Sequence, residues 1–150
     1  MLRQQLLSVI KKIIFACVHN AGRSQMAAAW FNHFNHLQTS ETALQEQARA
    51  VSAGTSPADR IHPEVLEVMR EVGIDLSSAQ PQKLTPELAA SADLLVTMGC
   101  GDKCPYVPGL KVEDWPLEDP KGQPIERVRE IRDEIRRRVE ELQSKLARRT

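Results

Sequence analysis

The chain has no surplus of charge of either sign, because 20 Lys and Arg balance 20 Asp and Glu over 150 residues. Nucleic-acid binders normally carry a basic excess, so nucleic acid is not favoured as a partner. Long apolar runs are missing as well. The opening stretch MLRQQLLSVIKKIIFACV is split by Lys11 and Lys12, and no small-residue cleavage site follows a continuous apolar segment. Neither a signal peptide nor a span of about 18 apolar residues is read there, so no membrane partner is expected. Repeats, low-complexity tracts and signs of a second domain are also absent. Residues 1–150 are therefore expected to form a single domain, with 1–12 as an N-terminal extension. Cysteine is scarce: Cys17, Cys100 and Cys104 are the only three. An odd number without export signals points to a reducing cytoplasm, where cysteines are more often reactive or metal-binding than structural.

What is present is an ordinary globular composition, 41% hydrophobic and 27% charged, which excludes disordered and fibrous classes. Short β-branched runs alternate with helical patterns, the signature of βαβ units around a parallel sheet. KIIFAC is the first strand, and RAVSAG the second. Between them a helix is predicted from Ser24 to about Leu37, with Met26, Trp30, Phe34 and Leu37 on one face. SETALQEQA is read as a connection. A second helix follows Pro63, with Val65, Leu66, Met69 and Val72 as its apolar stripe and Gly73 as a left-handed stop. Thr85 is expected to cap a short helix opened by Pro86, ahead of the strand LLVTM. KVEDW supplies a fourth strand, and a long helix runs from near Pro124 to about Ala147.

The segment IIFACVHNAGRSQMAAAW carries the chemistry. A strand ending at Cys17, a tight loop and a helix starting at Ser24 bring unpaired backbone N–H groups together at a helix amino end, which holds an oxyanion. Val18, His19, Asn20, Ala21, Gly22, Arg23 and Ser24 would line it. Arg23 adds a planar fork for two oxygens of a tetrahedral anion. The same field favours a thiolate at Cys17, and Ser24 can donate its hydroxyl to the sulfur. Ala21 and Gly22 allow close backbone approach, while Asn20 can brace the loop or adopt a left-handed conformation. A buried strand-end cysteine with a solvated arginine is the plain alternative; the flanking strand and helix favour the functional reading.

Two further segments are less decisive by themselves. Asp119 precedes Pro120 in PLEDPKG, and an Asp-Pro pair is first a turn signal. Cys100 and Cys104 in GCGDKCP are compatible with half a zinc site, with small buried hydrophobes, or with thiol exchange in an exposed Gly-rich loop. No further metal ligands are visible. Trp115 and Tyr106 are read as packing residues, His62 as a surface or capping residue, and His19 as part of the loop rim.

CVHNAGRSQMA resembles the active-site loop of the low-molecular-weight protein tyrosine phosphatase fold, in particular its arsenate reductase branch. The similarity extends through VSAGT, HPEVLEVMREVGIDLS, ADLLVTMGCGDKCP, EDWPLEDPKG and VREIRDEIRRRV. It implies an α/β fold of three layers, a four-stranded parallel sheet with helices on both faces and the loop at the carboxyl end of the first strand. By the same resemblance Cys17 attacks arsenate, Asp119 protonates the departing oxygen, and a second thiol attacks the Cys17 sulfur so that arsenite leaves with the electrons. In thioredoxin-coupled members the second thiol is internal, which assigns Cys100 to a disulfide with Cys17 and Cys104 to its displacement. In other branches glutathione, with glutaredoxin, or mycothiol makes the attack. The spacing between Cys100 and Cys104 is shorter than the thioredoxin-coupled pattern, and MGCGDKCP is similar to mycothiol-type members. Lys121 replaces the aromatic residue that phosphatases commonly place after the Asp-Pro pair, which counts against aryl phosphates. Ala28 and Gln82 stand where this branch often has acidic groups for a potassium ion, so no metal is expected. The expectation is a cytoplasmic, monomeric arsenate reductase using an external thiol reductant. Its alternatives are a phosphomonoesterase with a phospho-cysteine intermediate and a non-catalytic oxyanion or redox sensor.

Overall fold

The computed structural model describes residues 10–38, 48–99 and 104–148. Along the chain it places β1 (Lys12–Cys17), α1 (Arg23–Gln38), β2 (Arg49–Gly54), α2 (Pro63–Glu71), α3 (Pro86–Ala90), β3 (Leu94–Thr97), β4 (Lys111–Asp114) and α4 (Ile125–Arg148). The four strands form one parallel sheet in the order β2-β1-β3-β4. β1 is central, and Ile13, Ile14, Phe15 and Ala16 are all fully buried, as a strand covered on both faces requires. The connection read at SETALQEQA lies, up to Gln47, outside the described residues.

Alternate residues of β1 feed two different cores. Ile13, Phe15 and Cys17 face the larger one, with Met26, Phe31, Val65, Met69, Val128, Ile135 and Val139 from the three long helices. Phe15 sits at its centre, 5.5 Å from the ring of Trp115 and 6.3 Å from that of Phe31. Ile14 and Ala16 face the smaller core with Leu84, Ala89 of α3 and Leu95, over which Cys104, Val107 and Leu110 pack. The outer layer on that side is thus one short helix and an irregular segment. Trp115 packs as read from sequence, whereas Tyr106 is 87% exposed and does not.

Local signals explain the element ends. The Thr85 side chain accepts the Leu88 amide hydrogen, and Pro63 and Pro86 sit in the first turns of their helices. Gly73 takes φ 84° at the end of α2. α1 begins at Arg23, one residue before the expected start. Its residues Arg23 to Ala28 are all buried, because the start of α1 is enclosed and not merely packed along a stripe. Asn32 closes the outer edge of β2 like a short strand: its amide donates to the Ala50 carbonyl at 2.9 Å and its oxygen accepts the Ala50 N–H at 3.0 Å.

α4 is tied to the end of α2 by charge. Arg132, 8% exposed, donates to the Val68 carbonyl at 2.9 Å and to Glu71 at 2.9 Å, while Arg129 reaches the same carboxylate at 2.7 Å. The hydrogen bond from Arg129 is the main reason that Glu71 titrates below the ordinary glutamate value of 4.5. A depressed pKa stabilises the fold above the unfolded value and loses that contribution as pH falls through the folded one. Glu71→Gln should therefore lower Tm by a few degrees at pH 7, with the deficit shrinking as pH drops below about 4.5, measured by thermal denaturation across pH.

Candidate active site

Six consecutive carbonyls, from Cys17 to Gly22, are each satisfied from outside the loop cavity. Thr55, Ser56 and Ala58 donate their amides to the oxygens of Cys17, Val18 and His19 at 3.2, 2.8 and 2.9 Å. Gln25 Nε2 donates to the Asn20 oxygen at 3.2 Å. His62 N and Met26 N donate to Ala21 and Gly22, both at 3.0 Å. In a trans peptide the N–H opposes the C=O, so carbonyls held outward turn the amides inward. Among the described residues, the amides of His19 to Ser24 donate to no protein acceptor. They form the concave set of donors that a tetrahedral oxyanion needs.

Asn20 makes the turn possible with φ 52°, a left-handed conformation that asparagine tolerates better than most residues. Gly54 lies directly beneath: a Cβ there would stand 2.6 Å from the Val18 oxygen and 2.9 Å from Asn20 N. Cys17 is at the floor of the loop, 2% exposed, with its sulfur 3.0 Å from Ser24 Oγ.

Arg23 forms the wall. Its guanidinium is nearly buried, with Nη1 donating to the Leu117 carbonyl at 3.0 Å and Nη2 3.7 Å from Asp119 Oδ2. Gly99 backs it so closely that a Cβ would stand 2.5 Å from Nη1. Asp119 is at the open side, 43% exposed at its side chain, and its Oδ1 accepts the Lys121 amide at 3.0 Å. The turn reading of the Asp-Pro pair is therefore true alongside the functional one. Pro120 is buried against Gly22, where a Cβ would lie 2.8 Å from Pro120 Cγ and 3.6 Å from the His62 ring. His62 begins α2 without capping it by its side chain. Burial pushes its pKa below the ordinary 6.5, against the opposite pull of Asp119, so it is neutral at pH 7.

The structure thus brings together Cys17, Val18, His19, Asn20, Ala21, Gly22, Arg23, Ser24 and Asp119. Cys104 is half-buried over the smaller core and is disulfide-bonded, whereas Cys17 is a free thiol. Cys100 lies outside the described residues; Gly99, which precedes it, lies against Arg23. Ala28 is buried in the larger core and Gln82 Nε2 donates to the Ser52 carbonyl at 2.9 Å, so neither position offers a carboxylate.

The match to known proteins follows this geometry. The model of the low molecular weight phosphotyrosine protein phosphatase family matches residues 12–150. The chain belongs to that family. It is 43% identical, over 87% of its own length and 89% of the other, to a Halobacterium salinarum protein named "Putative arsenate reductase". It is 33% identical to the glutaredoxin arsenate reductase of a Synechocystis species, over 92% of this chain and all of that one. The solved thioredoxin-dependent arsenate reductase of Corynebacterium glutamicum superposes with a TM-score of 0.76 at 36% identity, covering 99% of this chain and 71% of the other. Family membership agrees with the three-layer α/β fold.

Sequence reasoning missed Gly99 as the backing of Arg23, Gly54 as the floor beneath Asn20, and the part of Gln25. The glycines were visible in the sequence, but the neighbours that require them are distant in the chain. Replacing Gly99 by alanine forces a Cβ onto the arginine and strains a φ of 100°. Gly99→Ala should weaken inorganic phosphate binding at least about tenfold, measured by calorimetric titration against the native protein.

Proposed function

We propose that this enzyme is an arsenate reductase, with Cys17 as nucleophile, Arg23 and the loop amides as oxyanion holders and Asp119 as general acid. The observation that carries it is the division of cysteine states: a free thiol at the loop floor and a disulfide at Cys104, beyond the segment that leaves Gly99 beside Arg23. Relatives named arsenate reductase support the choice over phosphate ester hydrolysis.

Cys17 Sγ attacks the arsenic of the bound anion; an S–As bond forms, an As–O bond breaks, and the oxygen leaves as water with a proton from Asp119. The amides and Arg23 hold the charge on the remaining oxygens. A second thiolate then attacks Cys17 Sγ. The S–S bond forms, the S–As electron pair stays on arsenic, and As(V) leaves as As(III) arsenite. Two thiols are oxidised to one disulfide for the two electrons that arsenic gains. Cys100 is the internal candidate for the second thiol, with Cys104 displacing Cys17 to restore it. The Cys100–Cys104 disulfide is finally reduced by a protein dithiol of the thioredoxin or glutaredoxin class, with low-molecular-weight thiols such as glutathione or mycothiol as the competing donors. Residues 1–150 act as one monomeric, cytoplasmic domain in this reading, with 1–12 as an extension. Among the described residues no helix is long and apolar enough to cross a membrane.

Arsenite release from arsenate should appear when thioredoxin, glutaredoxin with glutathione, or mycothiol systems are supplied in turn. Absence of arsenite under all three, together with efficient aryl phosphate turnover, would establish the phosphomonoesterase instead. Cys17→Ser should abolish turnover, and Asp119→Asn should lower kcat by about 10²- to 10⁴-fold. Cys104→Ala should stop turnover with thioredoxin; unchanged activity would take it out of the relay.

A further inference from the structure

We propose that Gln25 is a positioning residue that fixes the direction of the hydrogen bond received by the Cys17 sulfur. This assignment stands whether the substrate is arsenate or phosphate, because it concerns the thiol before any anion is bound. Gln25 is 5% exposed, and its Nε2 faces three acceptors: Asn20 O and Asn20 Oδ1, both at 3.2 Å, and Gln80 O at 3.3 Å. Two of these are main-chain carbonyls, which only accept, so the NH₂ end of Gln25 must point at them.

The same logic propagates inward. Asn20 Oδ1 also accepts the Gln82 main-chain N–H at 2.9 Å, and a backbone amide can only donate. With both donors on Oδ1, the amide of Asn20 cannot turn over, and its Nδ2 faces Ser24 Oγ at 2.7 Å. Ser24 Oγ, with one lone pair taken by Asn20, keeps its own hydrogen for the Cys17 sulfur 3.0 Å away, and a thiolate there can only accept it. Asn20 and Ser24 are fully buried, so water cannot stand in for a missing member without rearrangement. Gly54 N donates to Gln82 O and Leu84 N to Gly54 O, which brings residues 80–82 beside the loop.

Without the Gln25 donor, the Gln82 N–H still holds Asn20 Oδ1, but the Asn20 carbonyl loses the only donor it has among the described residues, and the left-handed residue that carries the amide shifts. A serine hydroxyl no longer held toward sulfur stabilises the thiolate less. Gln25→Met, which keeps the bulk, should raise the midpoint of the pH profile of Cys17 alkylation by about one pH unit, about a tenfold fall in reactivity below the midpoint. Gln25→Glu sets a carboxylate against two carbonyls and should raise it at least as far. A purely structural role would lower Tm and leave that midpoint in place. In the native protein, the Gln25 side-chain amide should be protected from exchange and its NMR resonance should move as Cys17 titrates. Native midpoints in folded Gln25→Met and Gln25→Glu would overturn the assignment. If neither variant folds, a fast-exchanging Gln25 amide that ignores the Cys17 titration would do so.

Discussion

Everything in the site depends on one constraint: a loop that turns its amides toward a ligand must bury its carbonyls on the other side, and every buried carbonyl needs a donor. From Cys17 to Gly22 the requirement is met six times over, chiefly by the stretch from Thr55 to His62 that follows β2. The pairing of β1 with β2 in register through Cys17 and Gly54 brings that stretch alongside. Gly54 must be a glycine for the same reason, since the Val18 oxygen already occupies the place of a Cβ. The sheet therefore positions the loop through main-chain bonds, which mutation of loop side chains leaves in place.

Arg23 joins the second half of the site to the first. One guanidinium edge holds the Leu117 carbonyl and the other approaches Asp119, so the residue proposed to grip the anion also sits beside the proposed acid. The ion pair adds little stability, because Asp119 is well exposed and its distance of 3.7 Å is long. Its value is geometric. Pro120 seated against Gly22 restrains the same segment from the other side, and burial there keeps His62 neutral, so it adds no fixed cation beside Asp119.

The sequence made local features readable and long-range fits unreadable. The strand KIIFAC, the Thr85 cap, the proline helix starts and the left-handed Asn20 all follow from short-range rules, and all are found. α1 starts at Arg23, one residue before the expected start, and the enclosure of its guanidinium by Gly99 and Leu117, some 76 and 94 residues away in the chain, has no local signal. Tyr106 was misread for the related reason that an aromatic ring in an irregular segment has no periodicity to reveal its face. Gln25 carries no signal in the sequence, since its partners Asn20 and Gln80, and the Gln82 amide that shares the Asn20 oxygen, converge only when the segment after α2 runs along the end of β2.

Arsenate and phosphate are so alike in shape and charge that a cradle of amides and one arginine does not separate them. On the proposed reaction, selection comes after binding. A phosphorus–sulfur intermediate is resolved by water, with no change of oxidation state, and needs no further thiol. An arsenic–sulfur intermediate can instead be resolved by attack on sulfur, because arsenic accepts the bonding pair and departs as arsenite. On that reaction, what distinguishes the two outcomes is the availability of a second thiol. Gly99 matters for the binding half of the chemistry: lacking a side chain, it leaves room for the Arg23 guanidinium, whose Nη1 would stand 2.5 Å from a Cβ there.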